Sequence, residues 1–398
     1  MDFRFSEEGE RFRQEVREFL NQEWSEEIQA QRAELEPGSD EAREFFLEFT
    51  HKLAKKGWLL GAWPKEYGGQ GWPLEKQLIF NEEMAYAGAP RGGGIGAMIA
   101  GPAIMVHGTE EQKRRHLPPI ARSELNWCQG FSEPDAGSDL WNIKTKAVKV
   151  EGGFILNGQK VWQSGAMQAQ WMILLARTDP QSKRSEGISY FLLDMKSPGV
   201  IVRPLIIMGL GYHAAEVFLD DVFAPDDCVL GGLEMVNKGR EIAQRTMEFE
   251  RSGISGAASA RKWVERLVQY AKETKVNGKP LAQDPIVRQK LAQLKIEVEV
   301  AQAMSYNTGW MQSAGKRATY QAAEGKVYSS ELSQRLTRLG TQLLGLYGQL
   351  ERGSKWAALN GRLTTLYLVT ASNTVGGGTS EIQRTTIALR GLGLPFAR

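Results

Sequence analysis

The period of the hydrophobic pattern changes twice along the chain, and that double change restricts the folds open to it. Before residue 122 apolar residues recur at helical spacing. "SEEGERFRQEVREFLNQEW" aligns Phe12, Val16, Phe19 and Leu20 on one face, behind Ser6 and two glutamates as a helix start. A second helix is expected from Ser39 to Lys56 with Gly57 as its stop, followed by a turn-rich loop, "WPKEYGGQGWP". From 124 to 232 short apolar runs alternate with turns. "WMILLART" (171–178), "ISYFLLD" (188–194), "VIVRPL" (200–205) and "EVFLDDV" (216–222) read as strands, and Gly152-Gly153 and Asn157-Gly158 as hairpin signals. After Glu234 helices return, expected over 236–272, 285–314, 317–350, 355–375 and 380–391, with a loop at 273–285. The expected fold is α+β: an N-terminal α-helical domain (1–122), a central β-barrel or sandwich domain (123–234) and a C-terminal four-helix bundle (235–398).

Charge and composition narrow the function. The 49 basic and 47 acidic residues leave a net charge of +2, with no electrostatic footprint for nucleic acid. No apolar run is long enough to span a membrane, and the charged N-terminus has no signal-peptide core. Cys128 and Cys228 lie far apart and read as reduced thiols of a cytoplasmic protein; the four histidines show no metal-ligand spacing.

Three glycines, Gly376 to Gly378, stand in "TVGGGTSEIQR" (374–384), where no side chain before Glu381 can carry charge. Such a run marks close approach of the backbone to something. "WCQGFSEPDAGSDL" (127–140) followed by "NGQKVWQSGA" (157–166) resembles the paired signatures of the acyl-CoA dehydrogenase family. "GGGTSEIQR" resembles its C-terminal signature and "HGTEEQKRRHLPPI" (107–120) the segment before its β domain, so the likeness spans the chain in order.

The resemblance implies FAD as cofactor and an acyl-CoA thioester as substrate. Gln129, Phe131 and Ser132 match positions along the isoalloxazine; Trp162 and Ser164 match the residues that cover the ring and reach N5. Gly137 and Ser138 match a turn facing a phosphate, with Ser138 also on the substrate side. Gln342 and Gly345 in "QLLGLYG" match a neighbouring subunit's contribution to the ADP end of FAD, and Thr379 and Glu381 match further ADP contacts. The plain alternative makes Trp162 a core residue on a strand and Ser132 a turn residue. Thr274 and Asn277 stand where the family often has an arginine and an aromatic, so those contacts do not carry over.

The family reaction takes a proton from Cα while a hydride leaves Cβ for flavin N5. In short- and medium-chain members the base is a Glu at the position matching Gly377, which keeps only a backbone N–H for the thioester oxygen. Branched- and long-chain members place it on a C-terminal helix before an arginine, matching Glu250 and Arg251. At helical spacing Glu250 has Ala243, Thr246, Met247, Gly253, Ile254 and Ala257 around it, all uncharged, whereas Glu248 has Gln244 and Arg245. The alternative is an interior glutamate paired with arginine, or a solvated "EFER" run. Arg251 would orient the base or the thioester.

Gly377 and the small residues of "APRGGGIGAMIAGPA" (89–103) leave volume for a bulky, branched or ring-containing acyl group, unless they serve close helix packing. The resemblance further implies electron transfer to an electron-transferring flavoprotein and a homo-oligomer (dimer of dimers) or heterotetramer. Two other readings stay open at this point: a non-catalytic or half-active subunit of a heteromeric acyl-CoA dehydrogenase, and a flavin oxidase or monooxygenase on the same fold.

Overall fold

The computed structural model describes residues 4–35, 39–182, 185–246 and 253–395. Its contacts gather into two units. One comprises Met1–Phe45, Trp72–Pro90 and Arg251–Arg398; the other comprises Phe46–Gly71 and Arg91–Glu250. Helices α1 (Glu7–Glu23), α2 (Glu26–Glu34), α3 (Asp40–Lys55), α4 (Leu74–Ala87), α5 (Gly101–His107) and α6 (Glu110–Ala121) precede the strands. The strands are β1 (Trp127–Gly130), β2 (Lys146–Val150), β3 (Gly153–Lys160), β4 (Trp171–Arg177), β5 (Ile188–Asp194), β6 (Val200–Ile207) and β7 (Gly211–Pro225). Helices α7 (Gly239–Thr246) and α8 (Ile254–Glu273) follow. A short hairpin, β8 (Lys275–Val276) and β9 (Lys279–Pro280), leads to α9 (Pro285–Ser313), α10 (Thr319–Leu344), α11 (Arg362–Asn373) and α12 (Ser380–Thr386).

In the first unit, α1 starts as its sequence dictates. The Ser6 hydroxyl accepts the Gly9 N–H at 3.0 Å, and Phe12, Val16, Phe19 and Leu20 are buried. Helices α8, α9 and α10 share a core that includes Val264, Leu267, Leu294, Val298, Leu332 and Leu336. The unit also buries charge. Arg13 of α1 donates to Glu82 at 2.9 Å and Glu83 at 2.5 Å on α4, while Gln302 and Tyr306 of α9 donate to Glu82 at 2.7 and 3.0 Å. Every partner lies within the unit, so two carboxylates that would be costly alone tie α1, α4 and α9 together.

The second unit is built on one seven-stranded sheet of order β1-β4-β2-β3-β7-β6, with β5 on the free side of β4. Strands β1 and β4 run parallel; β2, β3, β7 and β6 form antiparallel pairs. One face encloses Cys128, Phe154, Leu156, Met172, Leu174, Phe191, Val217 and Leu219. The other face of β4 and β5 packs Ile173, Leu175, Tyr190 and Leu192 with Ile104, Leu117 and Ile120 of α5 and α6 and Ile242 of α7. Burial on both faces explains why these two strands read as unbroken apolar runs.

Several expected boundaries move, each for a backbone reason. The helix expected over 236–272 is broken: α8 starts behind Gly253, whose φ is 71°. Helix α10 ends at Leu344 rather than 350, and α11 begins only at Arg362, because Leu359 and Asn360 are left-handed. The loop at 273–285 contains the hairpin β8–β9, closed by Asn277 and Gly278 at φ 51° and 78°. Asn157-Gly158 is no turn. It lies inside β3 at a register shift, where a Cβ on Gly158 would stand 2.7 Å from Thr145 Cα. Helix α2 had no counterpart among the sequence expectations.

Removing the shared cation should expose the cost of the buried carboxylates. Arg13→Met is expected to lower the unfolding free energy by about 3 kcal/mol in urea denaturation, the lower end for a broken buried pair because Glu82 keeps its other donors.

Candidate active site

The site residues of the second unit sit where the ends of β1 and β3 meet. Gln129 is half-buried on β1, and the chain leaves the strand through Phe131 and Ser132. The Phe131 ring is buried edge-on against Tyr190, with centroids 5.8 Å apart, so the ring belongs to the core. The Ser132 carbonyl accepts the Val161 N–H at 3.0 Å, joining one signature segment to the other.

Beneath this junction lies a fully buried ion pair that the sequence reading did not single out. Lys160 donates to Glu133 at 2.8 Å and to the Phe131 carbonyl at 3.2 Å. Glu133 also accepts the Lys144 and Thr145 N–H groups at 2.6 and 3.0 Å. Burial pulls the Lys160 ammonium down to about 8, with Glu133 offsetting part of that. For Glu133 burial acts upward, but Lys160 and its hydrogen bonds outweigh it and hold the carboxyl below the usual range. A signal was available: at strand period two, Lys160 shares its face with the buried Phe154 and Leu156, an unusual place for a lysine.

Two residues beyond this anchor, Trp162 is 63% exposed and left-handed, with φ 71°. It is not core filler. An aromatic residue in that region is strained, and the conformation persists because both neighbours are fixed. Val161 is bonded to Ser132, and Gln163 exchanges two backbone bonds with Ala215 at 3.1 and 3.2 Å. The exposed Ser164 follows directly. Gly137 and Ser138 are exposed on the turn after Glu133, and a Cβ on Gly137 would meet no protein atom within 4 Å. An uncovered indole, hydroxyls beside it and an open turn suit a flat ring carrying a phosphate tail.

The first unit holds the other site residues. Gly377 is exposed at φ 69° with open space where a Cβ would stand, and among the described residues its N–H has no protein acceptor. The loop is fixed around it: Ser380 N–H reaches the Thr374 carbonyl at 2.9 Å, and Gln383 Nε2 reaches the Gly377 carbonyl at 3.3 Å. Thr379 caps α12 by accepting the Ile382 N–H at 3.2 Å. Glu381 lies in the first turn, where hydrogen bonds from its own backbone N–H and from Thr379 hold its carboxyl below the usual range. Gln342 and Gly345 are exposed at the end of α10, next to Leu346 and Tyr347, which are exposed as well.

Glu250 and Arg251 lie outside the described residues. Gly253 interrupts the helix, so Ile254 and Ala257 do not share one with Ala243, although all three are buried. Among the described residues no group of acidic, cysteine or histidine side chains could hold a metal, and no helix is long and apolar enough to cross a membrane.

Comparison with known proteins identifies the class. The acyl-CoA dehydrogenase N-terminal, middle and C-terminal domains match residues 6–124, 128–222 and 237–392. The chain belongs to the acyl-CoA dehydrogenase family, FAD-dependent oxidoreductases. It is 34% identical to the acyl-CoA dehydrogenase IpdE1 of Mycobacterium tuberculosis, over 97% of this chain and 98% of that protein. It is 35% identical to FadE34 of the same organism over 86% of this chain, a match spanning 45% of FadE34. Among solved structures, the ChsE4-ChsE5 complex of M. tuberculosis superposes over the full length of both chains, with TM-score 0.89 and 31% identity. The Tcur3481-Tcur3483 steroid ACAD does so with TM-score 0.88 and 30% identity.

Two substitutions probe the junction. Lys160→Met strands a buried carboxylate and is expected to cost about 3–5 kcal/mol in unfolding free energy, whereas adding Glu133→Leu should recover part of the loss. Trp162→Gly removes left-handed strain, so unfolding of the flavin-free protein should be unchanged or harder by up to about 1 kcal/mol. Its FAD retention on gel filtration should fall.

Proposed function

We propose that this chain oxidises a bulky, branched or ring-containing acyl-CoA thioester at Cα–Cβ, with Glu250 as the α-proton base. The observation that carries this reading is Gly377, which offers a backbone N–H and open space at the position where the resemblance puts a carboxylate in short-chain members. Bound FAD supplies the hydride acceptor. Trp162 and Ser164 cover and hydrogen-bond the ring, Gln129 and the backbone at Phe131 and Ser132 line it, and Gly137 and Ser138 face a phosphate. Ser138 also meets the substrate. Gly377 N–H points charge stabilisation at the thioester oxygen as the α-proton leaves. Glu250 takes that proton, and Arg251 orients it or the thioester. Gln342, Gly345, Thr379 and Glu381 hold the ADP end of FAD in an oligomer, and an electron-transferring flavoprotein takes the electrons.

A ring-containing substrate is supported by the named steroid dehydrogenase among the similar structures and by the volume left at Gly377. The ChsE4-ChsE5 complex favours a second reading, in which this chain pairs with a different subunit in a heterotetramer and lacks a working base itself. The three-part division of the chain proposed from sequence, at 122 and 234, and a cytoplasmic location accompany either reading.

Anaerobic mixing with a panel of straight, branched and ring-bearing acyl-CoAs separates them. The wild-type flavin should bleach with bulky substrates, and Glu250→Gln should slow bleaching by about 10²–10⁴-fold at equal FAD content. Equal bleaching by both proteins would remove Glu250 as base. No bleaching by wild-type protein alone, restored by a partner subunit, would establish the second reading.

A further inference from the structure

The first unit contains a concavity of about 300 Å³ lined by four cationic side chains. Lys262 and Arg266 of α8, Arg352, and Arg362 at the start of α11 line it, with Tyr86 and Trp263 as walls, and among the described residues no carboxylate lines it. Among the described residues Arg362, though half-buried, makes no ion pair and no side-chain hydrogen bond. Burial, and then the charges of Arg266, Arg32 and Arg352, draw it below the usual guanidinium value. Among the described residues Arg352 reaches the Arg32 and Leu35 carbonyls, both at 3.3 Å. Lys262 has a loose 3.9 Å contact with Glu26, an exposed carboxylate.

Like charges gathered without an anion repel one another and destabilise the fold they sit in. The aromatic walls are already covered: Arg266 lies 5.2 Å over Trp263 and Lys262 lies 5.0 Å over Tyr86. Ring stacking is therefore not what the cavity has left to offer. What remains is a lining of N–H donors, most of them in planar forks that match the spacing of phosphoryl oxygens.

We propose that this cavity binds a phosphoryl dianion, held by Arg362 together with Arg266, Arg352 and Lys262. None of these residues is among those assigned to flavin or thioester, so the site is additional to the dehydrogenation site. Its volume accommodates a pyrophosphate or the diphosphate end of a nucleotide.

Thermal unfolding and titration calorimetry of the FAD-loaded protein, at ionic strength held constant with chloride, test the proposal with pyrophosphate and ADP as probes. The expected result is a saturable rise in Tm of about 3 °C at a hundredfold excess over the dissociation constant. Equal responses would mean that the diphosphate alone is recognised; a stronger response to ADP would mean a nucleotide. R362Q should abolish the response at unchanged FAD content. R352Q, which alters an exposed side chain and so spares the fold, should weaken it at least tenfold. No saturable rise beyond the chloride control, or the same rise in both variants, would overturn the proposal. So would a change of molar mass in R362Q without pyrophosphate binding to wild-type protein, which would assign the cations to carboxylates of a second copy of this chain.

Discussion

The second unit depends on the Lys160–Glu133 pair. It joins the segment leaving β1 to the end of β3, and both family signatures run through that junction. A buried pair is a weak source of net stability, because desolvation offsets most of the attraction. Its value here is geometric. With Lys160 bonded to both Glu133 and the Phe131 carbonyl, and Ser132 bonded to Val161, the backbone on either side of Trp162 has no freedom to relax. The strained tryptophan follows from that fixation, and its exposed face is what a flat cofactor can use.

The first unit reaches its site by a different route. There the candidate donor is a backbone position, Gly377, and a short capped helix with its preceding loop arranges it. Thr379 satisfies the start of α12, Ser380 closes the loop onto Thr374, and Gln383 occupies the space beside Gly378. Among the described residues the Gly377 N–H is left over once these bonds are made. Rigid side-chain chemistry in one unit and preorganised backbone in the other are two ways of keeping a polar group ready without reorganisation.

Sequence reading was sharpest where one physical rule acts alone. The Ser6 cap and apolar stripe of α1 located that helix, and the unbroken runs of β4 and β5 located the doubly buried strands. It failed where one signal has two structural uses. Asn157-Gly158 marks a hairpin when flanked by free strands, but here it relieves a close approach to Thr145 inside β3. Gly253 sits among small residues that suit an interior helix face, and the same residue also permits the left-handed break that ends that face. Buried charge was the least legible. Arg13, Glu82 and Glu133 look like surface residues until their partners, distant in sequence, are known, and Lys160 stands out only by its strand face. The signature residues were recognisable as a set, although the sequence gave no hint that Phe131 turns its ring into the core.

The conformation of Gly377 bears on how such a site could change over time. Its φ of 69° suits glycine, and an L-residue placed there pays strain on the backbone even though nothing crowds its side chain. Placing a carboxylate at this position would therefore require the loop between Thr374 and Ser380 to be rebuilt along with the codon. A loop of this shape is hard to leave by single substitutions. The history of such a loop is recorded in a backbone angle as much as in the identity of any side chain.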